Sequence, residues 1–357
     1  MTQNQKVTPK PALLSIIIVS WNVKDDVIQC LQSLSSAPEL AKGDWEIIVV
    51  DNASTDDTVD TVRRLFPFVR LIANRENVGF TRANNQGLKC SQSKYVFLLN
   101  PDTIADPKSI RKMVVFAEKA PEIGVIGPRL VGPDGTLQWS ARSFPDIGAG
   151  LFRNTPLSRL FPNTFYERRY LGKDLPRDSP SEVDWVSGAA LLVRRSVLNQ
   201  IGLLDEDYWS YCEDVDLCWR VKAKGFKVIY YPEVTIVHKV GRSSDQRLVF
   251  SLFQHHRSMW KFFQKHYRNR YPFWIRPMVP LGIAIRLLGA LSRLGFHRLL
   301  LWWLSRKARF LGNRVSAERP IRALADPGRL PVTSRRPQPD SASSPLGNEG
   351  DSGEDES

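Results

Sequence analysis

The sequence predicts an α/β protein built on a mixed, mostly parallel sheet with helices on both faces. From Leu14 onward, short β-branched runs alternate with amphipathic stretches of helix length, the pattern of such a sheet. Each run ends in polar residues, and in open α/β sheets ligands bind in the crevice beyond the carboxyl ends of the strands. The chain has 357 residues, 42% of them hydrophobic, enough for one large domain with appendages and far beyond a disordered peptide.

The elements follow in order. Residues Met1 to Lys10 are polar, and Leu13 to Val19 has the length of a strand and not of a signal-peptide core, so 1–12 reads as a flexible N-terminus with nothing directing secretion. Strands are expected at Ser15 to Ser20, Glu46 to Asp51, Val69 to Ala73 and Tyr95 to Asn100. Between and after them, Asp25 to Ser36, Asp56 to Phe66, Phe80 to Cys90 and Pro107 to Lys119 carry apolar residues at helical spacing, several with Asp or Thr near the start. Gly132 to Pro180 is rich in Gly, Pro, Arg and aromatics without periodicity, which predicts long covering loops. Order returns with the apolar Val183 to Val193, broken at Ser187 and Gly188, then a helix over Glu213 to Lys224 closed by Gly225, and paired strands over Phe226 to His238.

Charge divides the rest. The formal net charge is +13, yet residues 1–240 are nearly neutral, with 30 basic and 28 acidic side chains. Residues 241–314 hold 15 basic side chains and one acid, Asp245, while 315–357 are acidic and rich in Pro, Ser and Gly, the composition of a disordered tail. Within the basic block, 247–268 reads as a helix, and 273–312 interleaves Leu, Ile, Trp and Phe with Arg276, Arg286, Arg293, Arg298 and Arg306. These arginines interrupt the ~20 apolar residues a membrane span needs. The expectation is an in-plane amphipathic helix, with Trp302 and Trp303 in lipid and arginines at phosphate head groups; the competing reading is a basic helix packed on the body. Nucleic acid is a distant candidate because the positive block is interleaved with apolar residues. The four cysteines, Cys30, Cys90, Cys212 and Cys218, form no CxxC pair or disulfide frame, which fits a reducing, cytoplasmic compartment.

The polar strand ends hold the candidate chemistry. Ser20-Trp21-Asn22 and Asp51-Asn52-Ala53-Ser54 pair an aromatic ring with a carboxylate, a combination that suits a nucleobase; equally, such residues shape turns and cap helices. Asn100-Pro101-Asp102 offers a carboxylate for a divalent cation bridging a diphosphate, or a turn after Pro101. Asn77-Val78-Gly79 enters the helix that carries Arg82, a cation in reach of phosphate, but no GxGxxG or GxxxxGK pattern is present. Glu213-Asp214-Val215-Asp216 crowds three acids at one helix start, directly after the aromatic loop Tyr208-Trp209-Ser210-Tyr211. Complementarity with the helix dipole explains one or two acids, and an ionised carboxylate there could be a general base toward a hydroxyl. His238 closes the set as a structural residue or a metal ligand, followed by Gly241-Arg242-Ser243.

Taken together, the segments SIIIVSWN, VVDNASTD, NVGF with ANN, LLNPD and EDVDLCWR, followed by His238, resemble the inverting family 2 glycosyltransferases, with their Rossmann-like GT-A fold. Within them the chain is similar to bacterial rhamnosyltransferase-type enzymes of cell-surface polysaccharide assembly. The resemblance covers about residues 13–243, leaving 244–314 as a basic membrane-associating segment. It implies a nucleoside-diphosphate sugar donor, a divalent cation (Mg²⁺ or Mn²⁺) and one carboxylate base. On that basis the donor would be bound by Val19, Trp21, Asn22, Asp51, Asn52, Asn77, Gly79, Arg82, Asn100 and Asp102, with Asp51 at the base and Asp102 holding the metal with His238. Asp214 would be the catalytic base, oriented by Glu213. The acceptor side would be Trp185, Ser187, Gly188, Asp216 and Arg242, where Trp185-Val186-Ser187-Gly188-Ala189 is similar to the family's acceptor segment. One departure is that Asn100 stands where the family often has a first aspartate, a poorer ligand.

The implied activity is transfer of a sugar, rhamnose or a similar hexose or deoxyhexose, to a hydroxyl of a lipid-linked glycan, on the cytoplasmic face of an anionic membrane. A base carboxylate at its ordinary pKa is already ionised near neutrality. The rival readings are a transferase to polyprenyl phosphate, which needs little general base, and a non-catalytic, membrane-bound nucleotide-sugar-binding protein, which would not need Asp102, Asp214 and His238.

Overall fold

In the computed structural model, residues 11–148, 164–241 and 244–310 are described. The strands in chain order are β1 (Leu14–Ser20), β2 (Trp45–Asp51), β3 (Arg70–Ala73), β4 (Tyr95–Leu99), β5 (Thr103–Ile104), β6 (Ile123–Val131), β7 (Leu137–Gln138), β8 (Ala141–Arg142), β9 (Ser181–Glu182), β10 (Trp185–Val186), β11 (Ala190–Arg194) and β12 (Lys227–His238). One sheet runs β3-β2-β1-β4-β11-β6-β12-β5, with β7 beside β6 and β9 beside β12, while β8 and β10 pair separately. The first four strands are parallel and β11 enters antiparallel to both β4 and β6. The sheet is thus mixed, as predicted.

Every residue of β1 is buried, as a central strand covered on both faces requires. Its alternate side chains divide between two cores: Ile16 and Ile18 face Val27, Leu31 and Leu34 of the Lys24–Ser35 helix, and Ile17 and Val19 face Ala83 and Leu88 of the Phe80–Cys90 helix. The second helix lies close to the sheet through Gly87, where a Cβ would come within 2.6 Å of Ile17. The helices at Phe80–Cys90 and Pro107–Lys119 match their expected ranges, and Glu213–Ala223 ends one residue early because Lys224 caps it.

Two expectations change within the body. Phe226 to His238 is one strand and not a pair: β12 runs parallel to β6 with a register shift between Tyr231 and Thr235, and its end turns to meet β5, pairing His238 with Thr103. The covering region after Gly132 contains β7, β8 and a helix at Phe165–Leu171. Residues 149–163 lie outside the described residues.

The basic segment is also divided. Its first helix, Leu248–Phe262, and the wider turn Phe263–Tyr267 pack on the body, with Phe262, Phe263 and His256 buried. The boundary expected at 243/244 therefore separates chain that is packed together. A second helix, Met278–Phe310, follows. Its Met278–Phe296 stretch is long and apolar enough to cross a membrane by length and composition, and only 6% of it is buried. This corrects the expectation that arginines rule out a span: Arg286 and Arg293 are the only charged residues in that stretch. The side chains of Trp302 and Trp303, the first ten residues and the acidic tail lie outside the described residues.

Candidate active site

The ends of β1 and β2 lie side by side, in register from Leu14 with Trp45 to Ser20 with Asp51. Beyond them the chain makes two tight turns in which Asn22 and Ala53 take left-handed backbone conformations. Asn22 stitches the turns together: its N–H donates to Ser54 Oγ at 2.9 Å and its Oδ1 accepts from the Thr55 N–H at 2.7 Å. Asp51 accepts from Ser20 Oγ at 3.0 Å and from the Ser54 N–H at 2.9 Å, and is 1% exposed. Its carboxylate thus shapes the turn, which corrects the picture of a side chain open to a base. Val19 is likewise buried in the sheet. Trp21 remains partly open, with the Arg247 guanidinium 4.9 Å from its ring centre.

Asn52 builds the next wall. Its Nδ2 donates to Asn77 Oδ1 at 2.9 Å and its Oδ1 accepts from the Val78 N–H at 3.0 Å, so a buried amide dictates the path of the loop into Gly79. Gly79 has φ +92°, and a Cβ there would lie 2.8 Å from the Trp209 ring, so it meets both a backbone and a packing requirement. The N–H of Phe80 donates to the Trp209 carbonyl at 2.9 Å. The aromatic loop before the acid cluster therefore seats on the loop that leads into Gly79. Arg82 is mostly exposed and faces Glu206 of that same loop at 3.5 Å.

Asp102 and His238 meet through the pairing of β5 with β12, with His238 Nε2 3.4 Å from Asp102 Oδ1. Both are nearly buried, and the other ring nitrogen, Nδ1, is engaged by Gln138 Oε1 at 2.9 Å. Asn100 Oδ1 is buried with no hydrogen-bond partner. Among the described residues no three His, Cys, Asp or Glu side chains gather as a metal cluster. A carboxylate, an imidazole and an unsatisfied amide oxygen are donors of the kind that would suit a cation taking its remaining ligands from substrate phosphates and water, the habit of Mg²⁺.

The base candidate sits one strand over. The Asn100 N–H donates to the Ala189 carbonyl at 2.9 Å, and the adjoining Gly188 N–H donates to Asp214 Oδ2 at 2.9 Å. Asp214 Oδ1 accepts from the Val215 N–H at 2.8 Å. A Cβ on Gly188 would lie 3.2 Å from the Asp214 Cβ, so the absence of a side chain there lets the carboxylate approach. Burial pushes the Asp214 carboxyl above its ordinary range, moderated by the Gly188 and Val215 N–H groups and the charge of Arg142. The expectation of an unperturbed carboxylate is thereby corrected.

Glu213 does not orient Asp214 by a hydrogen bond. Its Oε2 is buried without a partner, beside a small cavity lined by Phe80, Leu191, Leu204 and Leu217. Burial, then the neighbouring Asp214, drives its carboxyl well above the usual range. Asp216 turns away from the crevice. It accepts from His266 Nε2 at 2.7 Å, Lys265 Nζ at 2.8 Å and Arg220 Nε at 2.7 Å, and with no exposed surface it is a tie to the C-terminal segment, not an acceptor contact. Burial alone would raise it, but the His266 bond, the Arg220 charge and the Lys265 bond hold it down at about 2.

Trp185 is buried and donates from Nε1 to the Ser143 carbonyl at 2.8 Å, with Arg142 stacked 5.2 Å over its ring. Ser187 is fixed through its N–H to the Ser140 carbonyl at 2.8 Å. Arg242 lies outside the described residues. Gln138, Arg142 and Arg247 were not singled out by sequence, since two fall in the unpatterned stretch after Gly132 and the third at the start of an apparent helix.

Residues 15–202 match the family described as Glycosyl transferase family 2. The chain is 30% identical over 286 residues to the N-acetylglucosaminyl-diphospho-decaprenol L-rhamnosyltransferase of Mycobacterium tuberculosis, covering 77% of this chain and 89% of that protein. It is 25% identical over 229 residues to the low-salt glycan biosynthesis hexosyltransferase Agl10 of Haloferax volcanii, covering 63% of this chain and 66% of that one. The mannosyltransferase PcManGT from Pyrobaculum calidifontis, solved with GDP-Man and Mn²⁺, superposes with a TM-score of 0.50 at 16% identity over 80% of this chain and 76% of that chain, a likeness of fold. The matched segment spans the strand-end crevice from β1 to β11, and the chain belongs to glycosyl transferase family 2.

Proposed function

We propose that this glycosyltransferase moves rhamnose, or a similar hexose or deoxyhexose, from a nucleoside-diphosphate donor to a hydroxyl of a lipid-linked glycan in cell-surface polysaccharide synthesis, with inversion. The observation that carries the reading links two chemistries through one strand pair: Asp102, paired with His238, follows β4, the Asn100 N–H donates to the Ala189 carbonyl at the start of β11, and the adjoining Gly188 N–H holds the Asp214 carboxylate of the Glu213–Ala223 helix. The sugar and the lipid-linked acceptor are read from the Mycobacterium relative, which aligns over most of its own length.

Trp21 and the turn of Asn22, Asp51 and Ser54 would receive the nucleoside, and the loop shaped by Asn52, Asn77 and Gly79 would border the donor sugar. Asp102 and His238 would hold a divalent cation, which when bound neutralises charge on the leaving diphosphate. Arg82, by exchanging Glu206 for phosphate oxygens, would add a fixed positive charge. Asp214 would accept the proton of the acceptor hydroxyl as that oxygen attacks the anomeric carbon from the face opposite the leaving group. A carboxylate raised by burial is a better proton acceptor than one in water, and two backbone N–H groups hold it in place. One displacement inverts the anomeric configuration.

The membrane side of the reading rests on exposed apolar surface. Phe273, Trp274, Leu281, Ile285 and Leu288 are all at least 60% exposed within a basic block, a combination that suits the inner face of an anionic bilayer.

The test is Asp214→Asn, which preserves size but removes the proton acceptor. Donor binding by calorimetry should match the unmodified protein while transfer falls by ~10²-fold or more. Near-normal transfer would move the base elsewhere.

A further inference from the structure

Gln138 sits on β7, the short strand hydrogen-bonded to β6, and has no place in the chemistry described above. Its Nε2 donates to the His238 carbonyl at 2.7 Å, and its Oε1 lies 2.9 Å from His238 Nδ1. A carbonyl oxygen can only accept, so the first bond fixes which way the amide faces. The Oε1 is then an acceptor against Nδ1, and Nδ1 must carry the proton. The ring nitrogen left over, Nε2, is the one that faces Asp102 Oδ1 at 3.4 Å.

From this two-point grip we infer that Gln138 is a positioning residue that locks His238 in the Nδ1–H form and aims its Nε2 lone pair, with Asp102, at the donor's cation. This rests on the reading of Asp102 and His238 as metal ligands. Oriented imidazole ligands characteristically donate their second nitrogen to an oxygen acceptor, and loss of that acceptor costs about 10–100-fold in metal affinity. The grip here is stricter than a single hydrogen bond: one amide holds both the ring and the backbone carbonyl of the same histidine, so ring rotation and strand slippage are opposed together.

The protein contains five histidines, so nitrogen-15 labelling of histidine with long-range proton correlation, assigned by loss of one signal set in His238→Ala, reads the tautomer directly without metal. The expected result is Nδ1–H at His238, lost in Gln138→Leu and kept in Gln138→Glu, which retains an oxygen acceptor. The second readout is electron paramagnetic resonance of Mn²⁺ with inorganic pyrophosphate standing for the donor diphosphate. Binding should be abolished by His238→Ala and weakened about 10–100-fold by Gln138→Leu. An Nε2–H tautomer in the unmodified protein overturns the inference even if no variant folds. A correct tautomer with unchanged Mn²⁺ affinity in Gln138→Leu also overturns it while leaving the metal reading intact. Absence of any His238-dependent Mn²⁺ site in the unmodified protein removes the metal reading itself, and the inference with it.

Discussion

Glu213 and Asp214 are neighbours in sequence whose carboxyl groups meet different surroundings. Asp214 receives two backbone N–H groups, while one oxygen of Glu213 has none and lies against leucines. An acid whose folded pKa is raised stabilises the fold fully below its ordinary range, and that contribution is lost as pH rises through the shifted value. Glu213→Gln should therefore leave unfolding near pH 5 almost unchanged and make the protein more stable than the original at alkaline pH; denaturant titrations at the two pH values check this, and a constant difference would show Glu213 to be ionised in the fold. Gly188 offers a sharper geometric test. In Gly188→Ala the N–H is kept, but the new Cβ lies 3.2 Å from the Asp214 Cβ, so the proposed base must move by a few tenths of an ångström. Displacements of about 1 Å can cost about 10²-fold, so steady-state kinetics should show kcat down roughly tenfold with the donor KM unchanged.

The Glu213–Ala223 helix that carries Asp214 begins from two consecutive left-handed residues, Tyr211 at φ 67° and Cys212 at φ 65°. Such positions cost about 1–3 kcal/mol each and persist only where the surroundings enforce them. Here the Leu248–Phe262 helix does so, with Ser258 Oγ on the Ser210 carbonyl at 2.9 Å and His255 against the Tyr211 ring at 5.1 Å, while Asp216 ties the base helix to Lys265 and His266. Asp216→Asn leaves the Lys265 ammonium and the Arg220 guanidinium facing an amide at a buried position, and breaking one side of such a pair costs about 3–5 kcal/mol. Because its folded pKa is depressed to about 2, that stabilisation is present above the ordinary carboxylate range and fades as pH falls through it; the mutant's deficit in urea titrations should shrink from pH 7 toward pH 3. These ties also mark what was legible in sequence. β1, β2 and β4 were readable because short apolar runs, β-branched in β1 and β2 and aromatic and leucine-rich in β4, fit a buried strand, whereas Ile123–Val131 is broken by Gly124, Gly127 and Pro128 and shows no period. The acids at the start of Glu213–Ala223 were legible as a cluster, but of the Asp216 partners only Arg220, one helical turn on, is local; Lys265 and His266, which tie it away from the crevice, lie some fifty residues later. The meeting of Asp102 with His238 was legible only through resemblance, since it depends on β12 turning past its bulge to reach β5.

At the scale of the whole molecule, the same C-terminal segment that holds the Glu213–Ala223 helix through Asp216 continues into the apolar surface. The turn Phe263–Tyr267 packs on Trp219 of the base helix, and only residues 268–277 separate it from Met278–Phe310. A surface bound to lipid through the second helix would thus lie close along the chain to the helix that carries the proposed base, and confining enzyme and lipid-linked substrate to one plane would raise their effective concentration. Two forces are separable there. Each basic residue near an anionic surface contributes about 1 kcal/mol, and salt screens it, whereas insertion of Phe273, Trp274, Leu281, Ile285 and Leu288 is insensitive to salt, at about 25 cal/mol per Å² of apolar surface removed from water. The full chain should sediment with phosphatidylglycerol-containing vesicles and be only partly released by 1 M salt. A chain ending at Tyr271 keeps Leu248–Phe262 and the Asp216 ties, so it should remain in the supernatant and still hydrolyse donor. If it sediments as the full chain does, the Met278–Phe310 helix is not the membrane element; complete release of the full chain by salt would assign binding to charge alone and leave the apolar face without a role in lipid.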